Sequence, residues 1–206
     1  MDQPRPRRRL IALGLAGTLM MALAALAACD RVASPASFKG IDITGAEYAR
    51  DFDLPDVDGR RRHLADFKGK VVVVFFGYTQ CPDVCPTTML ELAQVKKELG
   101  PAGERVQGIF ITIDPERDTP EVLKAYVGNF SPDFVALRGD VEETKAAAKA
   151  FKVFFAKVPG QTTGSYTMDH TAGSYVFDAA GKVRLFTRYG TGSESLKSDL
   201  QQLLKG

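Results

Sequence analysis

"KVVVVFFGYTQCPDVCP", residues 70–86, is the stretch whose reading decides the fold. Its first half is a continuous β-branched and aromatic run, the pattern of a central strand buried on both faces. Its second half carries Cys81 and Cys85, stiffened by Pro82 and Pro86. From Pro86 to Leu99 the apolar residues Met89, Leu92, Val95 and Leu99 recur at helical spacing, and Gly100-Pro101 supplies the stop. The two thiols therefore lie where a buried strand gives way to a helix.

Working outward, "RVQGIFITID" (105–114) reads as a second buried strand and "DFVALRG" (133–139) as a third. A helix opens after Asp118 or Thr119, either of which can cap it, with Pro120 harmless in the first turn. "DVEETKAAAKAFKV" (140–153) is an alanine-rich helix with a capping acid. The residues after it read as a strand, a polar loop and a β-hairpin about Ala180-Gly181, and "SESLKSDLQQLLKG" (193–206) closes the chain as an amphipathic helix. Before the core, Asp58-Gly59 marks an N-terminal hairpin. The fold class is α/β, a thioredoxin-like central mixed sheet flanked by helices. The first two buried strands are expected to be parallel neighbours joined by a right-handed crossover. Cys81 and Cys85 then fall at the C-terminal end of a parallel strand, where α/β sites form.

The opening residues stand apart from this pattern. Arg5, Arg7, Arg8 and Arg9 precede an uninterrupted apolar run, residues 10–28, the layout of a secretory signal. It ends in Leu26-Ala27-Ala28-Cys29, which resembles a bacterial lipobox, so Cys29 is the expected lipidation site and residues 1–28 the signal peptide. Residues 29–50, polar and irregular, read as a membrane tether, and 51–206 as the folded domain. Loss of residues 1–28 removes four arginines and one aspartate, taking the formal charge from +2 to −1. Nothing in that balance argues for nucleic acid. With Cys29 committed to lipid, Cys81 and Cys85 are the only thiols left in an exported domain. A disulfide between them would close too short a loop to restrain the unfolded chain much.

A helix N-terminus favours thiolate over thiol. If both cysteines lie on the first helical turn, a spacing of four stacks one above the other, and both sulfurs point at one ion. A third ligand is the test of a metal site, and the chain has two histidines. His63, among arginines in "RRRHL", reads as an exposed hairpin residue. His170, in "YTMDHTAGSY", reads equally as a satisfied loop histidine or as a ligand.

"FFGYTQCPDVCP", "TIDPERDTPEVLKAYVGNF" and "YTMDHTAGSYVFDAAGKV" together resemble the Sco (SenC-type) family, from about residue 50 to the C-terminus. The resemblance implies a thioredoxin fold on the inner membrane, facing the periplasm in a bacterium. It implies a metallochaperone rather than an enzyme. Copper would be bound by Cys81, Cys85 and His170, received from a donor protein, and supplied to the CuA site of a cytochrome c oxidase subunit. Asp114-Pro115 and Asp169 match as well, and Asp169 is a candidate to orient His170 or to approach the metal directly. Two thiolates and one imidazole suit Cu(I) and tolerate Cu(II), whereas three protein ligands make an unusual structural zinc site. The polar run 157–170, with Gly160 and Gly164, is expected to be weakly held, so that His170 swings onto a metal already gripped by the thiolates.

The competing reading is a thiol–disulfide oxidoreductase using Cys81–Cys85 as a redox disulfide. Its usual spacing is C-x-x-C, one residue tighter, and "MDHTAG" has no proline where such proteins carry one against the dithiol. A peroxidase reading needs threonine three residues before the attacking cysteine. Here Tyr78 precedes Cys81 and Pro82 precedes Cys85.

Overall fold

The computed structural model describes residues 37–205. The expected signal peptide, residues 1–28, and the expected lipidation site at Cys29 lie outside the described residues. Strand β4 (Val71–Gly77) is buried along its whole length, as is β5 (Val106–Thr112), and the two pair in parallel from Val71↔Val106 to Gly77↔Thr112. β6 (Val135–Leu137) adds a third parallel strand beside β5. On the other flank of β4 runs the antiparallel hairpin of β9 (Gly173–Phe177) and β10 (Val183–Arg188), followed by β1 (Ile41–Asp42). The six-stranded order is β1-β10-β9-β4-β5-β6, the expected mixed sheet.

The alternation of side chains along β4 splits the core into two layers. Phe75 packs against Phe110 on one face. Phe76 packs on the other against Phe151, which also meets Phe177 and Tyr175. Helix α1 (Val84–Glu98) buries Cys85, Met89, Leu92 and Val95, and packs against α4 (Ser193–Lys205). Helix α2 (Pro120–Gly128) lies over the first layer, where the Tyr126 ring packs at a tilt against Phe110. Of its two candidate caps, Thr119 takes the role, accepting from Val122 N at 3.3 Å. Helix α3 (Val141–Ala150) starts on a reciprocal capping box, with Asp140 accepting from Glu143 N and Glu143 from Asp140 N.

Two expectations need correction, and a third is met. The domain begins before residue 51, because β1 is an edge strand of the main sheet. Lys39 N and Gly40 N donate to the buried Asp199 carboxylate at 2.8 and 2.7 Å, and Ala49 is wholly buried with its N–H on Ala150 O. A polar, irregular stretch looks like a tether because its partners lie some 160 residues away. The N-terminal hairpin does form, between β2 (Leu54–Pro55) and β3 (Arg61–Arg62) about Gly59 at φ +81°, as a ribbon outside the six-stranded sheet. Lastly, the run after α3 is largely strand. β7 (Phe155–Pro159) and β8 (Tyr166–His170) form a second ribbon, in register from Phe155↔His170 to Pro159↔Tyr166, and only residues 160–165 turn between them. Among the described residues no helix is long and apolar enough to cross a membrane.

Candidate metal centre

β4 delivers the dithiol. At its end Gly77 leaves a notch into which the Cys85 thiol fits, since a Cβ there would stand 2.8 Å from Cys85 Sγ. Cys85 is the second residue of α1 and is fully buried. Cys81 is not on the helix, contrary to the stacking expected of a shared first turn. It precedes α1, half-buried, and its Sγ accepts from Cys85 N at 3.4 Å, so the sulfur sits over the helix N-terminus. The other ribbon delivers the imidazole. His170 ends β8, edge-on to Phe75 and Tyr78, with Nδ1 donating to Thr171 O at 3.0 Å. That bond turns Nε2 and its lone pair toward Cys85 Sγ, 3.6 Å away.

The two thiols are free and very unequal. The Cys85 thiol donating to it, with help from the Asp83 and Cys85 N–H groups, lowers the Cys81 pKa to about 4 against the opposing effect of burial. Cys85 is pushed far up, first by burial and then by the charge forming on Cys81. The first proton of the pair leaves Cys81, the less buried member, and the second leaves only when something positive replaces it.

Behind the thiols lies a polar layer that sequence reasoning largely missed. Asp118, wholly buried, accepts from Thr79 N (3.1 Å), Thr79 Oγ1 (2.6 Å) and Thr112 Oγ1 (2.6 Å). Burial raises its pKa, opposed by those hydrogen bonds. Asp114, also buried, pairs with Arg117 Nε at 2.5 Å and accepts from Tyr166 Oη at 2.9 Å. The signal for the two acids was their spacing in "DPERD" at the end of a strand. The signal for Arg117 and Tyr166 was absent, because charged and aromatic residues on loops are ordinary.

A scan of family models matches residues 42–205 to "SCO1/SenC". The chain belongs to the SCO1/SenC family. It is 39% identical over 133 residues to the "SCO2-like protein" of Rickettsia felis, covering 64% of this chain and 65% of that one, so the match spans under two thirds of the curated relative. Among solved structures it resembles Bradyrhizobium japonicum ScoI with copper bound, at 39% identity and TM-score 0.66 over 74% of this chain and 96% of that one. It likewise resembles apo Sco1 from Thermus thermophilus, at 39% identity and TM-score 0.73 over 82% and 99%. The thioredoxin-like fold expected of the sequence is the fold of these SCO1/SenC relatives.

The family's three motif positions converge in space. Donor atoms of Cys81, Cys85 and His170 lie within 4.8 Å of one another, the only such group of His, Cys, Asp or Glu side chains among the described residues. Bonds of about 2.3 Å to thiolate and 2.0 Å to imidazole, as zinc makes, place sulfur and nitrogen about 3.5–3.7 Å apart. The 3.6 Å between Cys85 Sγ and His170 Nε2 fits that span. A cleft of about 320 Å³, lined by Tyr78, Cys81, Pro82, Asp83, Met168, Asp169 and His170 among others, opens the centre to solvent. Asp169 is exposed and lines this cleft, but its carboxylate is not in the three-donor group. His63 is elsewhere, 3.5 and 3.4 Å from the Asp51 and Asp53 carboxylates beside the N-terminal ribbon.

Proposed function

We propose that the chain is a copper chaperone that holds one copper ion on Cys81, Cys85 and His170 and passes it to the CuA site of cytochrome c oxidase during assembly. The observation that carries this reading is the convergence of two thiol sulfurs and one imidazole nitrogen within 4.8 Å at the mouth of an open cleft. Soft sulfur with nitrogen suits Cu(I) and accommodates Cu(II). Three protein donors in an open cleft leave room for a fourth from a docked partner, so copper leaves by stepwise exchange onto the acceptor's thiolates. The copper-bound Bradyrhizobium relative supports the choice of metal. In this reading Cys29 carries lipid, the segment after it tethers the domain to the inner membrane facing the periplasm, and a separate donor protein supplies the copper. Asp169, on the cleft wall, would orient His170 or approach the copper directly.

The experiment is copper titration of the reduced full chain. One copper per chain is expected, with Cys81→Ser, Cys85→Ser and His170→Ala each weakening it by more than the 10–100-fold typical of losing a residue that merely supports a ligand. His63→Ala should leave it unchanged. Loss of binding in His63→Ala with retention in His170→Ala would sink the assignment.

A second reading is favoured by the unequal thiols. A half-buried Cys81 thiolate that lines the open cleft, beside a buried Cys85 thiol, is the arrangement for reducing a target disulfide. Cys81 sulfur would attack one target sulfur and release the other as thiolate. Cys85 sulfur would then displace the first, leaving Cys81–Cys85 oxidised and the target dithiol reduced. The two roles are compatible, because the disulfide form lacks both sulfur ligands and cannot hold copper. Turnover of a disulfide substrate by the copper-free chain, abolished by Cys81→Ser, would support it.

A further inference from the structure

The histidine half of the centre belongs to a ribbon outside the main sheet, so something must hold it in register with the dithiol. The structure assigns that task to Arg117, and this inference rests on the copper reading above. Arg117 stands in the loop between β5 and α2 and contacts neither a thiol nor the imidazole. Its guanidinium stacks on the Tyr166 ring at 3.6 Å and lies 5.7 Å from the centre of the Tyr78 ring. Nη1 donates to Tyr166 O at 2.9 Å and to Gln80 Oε1 at 3.0 Å. Nε donates to Asp114, whose other carboxylate oxygen accepts from Tyr166 Oη.

Together these contacts join one half of the centre to the other. Gln80 and Tyr78 belong to the loop that carries Cys81, and Gln80 is its direct neighbour. Tyr166 opens β8, the strand that ends in His170. One planar cation therefore binds both the backbone of the histidine strand and the dithiol loop, with Asp114 neutralising it from below. Nη2 is buried with no hydrogen-bond partner among the described residues, so ring stacking is the contact that offsets its lost water. Arg117 is a positioning residue that sets the separation of His170 from the sulfurs. A planar fork serves three acceptors and a ring face at once, and an ammonium cannot.

The test is Arg117→Lys in the full chain. Lysine keeps the charge beside the buried Asp114, whereas alanine would strand that carboxylate and endanger folding. In the copper-free protein, amide hydrogen exchange across residues 166–170 should quicken by about tenfold or more while β4 amides hold their rate. In the Cu(II)-loaded protein, the nitrogen hyperfine coupling from the histidine ligand should weaken or vanish. Copper affinity should fall by about 10–100-fold, the usual effect of removing a ligand's support. Unchanged exchange in β8 together with an intact nitrogen signal would overturn the proposal. So would a uniform quickening of β4 and β8, which marks a merely structural arginine. If the lysine variant fails to fold, Tyr166→Leu, which removes the stacked ring and the hydroxyl, decides by the same two readouts. Wild-type protein showing no nitrogen ligand at all would count against the copper reading, and the exchange experiment would still judge the clasp.

Discussion

The dithiol and the imidazole reach the same point by opposite routes. Cys81 and Cys85 sit on the β4–α1 junction, in the middle of the sheet, where every residue of β4 is buried and Gly77 is carved to accept a sulfur. His170 arrives on a two-stranded ribbon whose β7 strand is half-buried to exposed, fastened by Arg117, Asp114 and Tyr166. One half of the centre is core, and the other is a ribbon anchored by Met168 and by the polar contacts of Arg117. In the proposed copper-delivery role, that asymmetry would let the third donor be withdrawn without unfolding the grip of the first two.

The largest expected difference between the halves is in local opening. Amides of β4 and β5 should exchange only on global unfolding, while those of β7 and β8 should exchange at least a hundredfold faster, as suits a short ribbon with exposed strands. Hydrogen exchange on the copper-free chain measures this directly. Equal protection would erase the comparison and make the ribbon part of the core.

The next contrast lies between the two thiols themselves. In the reduced, copper-free protein Cys81 should be alkylated at a rate nearly independent of pH from about 6 to 8, because its pKa of about 4 leaves it thiolate throughout. Cys85, buried and held protonated, should resist the reagent over the same range. Peptide mapping after iodoacetamide treatment distinguishes them, and preferential labelling of Cys85 would reverse the assigned acidities.

Gly77→Ala probes the core half alone. Its new Cβ would press on Cys85 Sγ and on Phe75 and Phe110, all within 3.0 Å. A loss of about 1–3 kcal/mol is expected from overpacking, seen as a lower denaturation midpoint, together with a displaced sulfur and weaker copper binding.

The smallest effect concerns Asp118, which braces the dithiol loop through Thr79. Burial holds its folded-state pKa above the ordinary carboxylate value. Between those two values the folded state binds more protons than the unfolded state, so acidification favours folding at this site. Relative to Asp118→Asn, which has no titrating group there, the wild-type chain should gain stability as the pH falls from neutral toward about 4. Urea midpoints of both proteins across that range test the sign.

The core half was legible for a physical reason. The apolar run 70–77, the helical spacing from Met89 to Leu99 and the proline-flanked cysteines are signals between neighbours in the chain, and neighbours in the chain build that junction. Composition left His170 balanced between bystander and ligand, and only the likeness of three segments to a family tipped it. Its strand was hidden because "GQTTGSYTMD" is polar, and the ribbon's anchors, Met168 in the core and Arg117 on Tyr166, leave no hydrophobic alternation to read. The segment 38–50 was hidden for a related reason: polar residues become structured there by donating backbone N–H groups to Asp199, far along the chain.

By itself, then, the sequence determined the α/β class, the order of the central strands and helices, and the placing of two thiols at a strand–helix junction. These follow from hydrophobic periodicity and capping, which act over a few residues. Tertiary structure alone decided that Cys81 stands off the helix while Cys85 is buried, which makes one thiol acidic and the other reluctant. It also decided that a loop arginine joins the two halves of the centre, and that the domain's edge strand comes from what reads as a tether. Each of these depends on groups between 37 and 160 residues apart, or on how deeply a side chain is removed from water, and neither is written in local order.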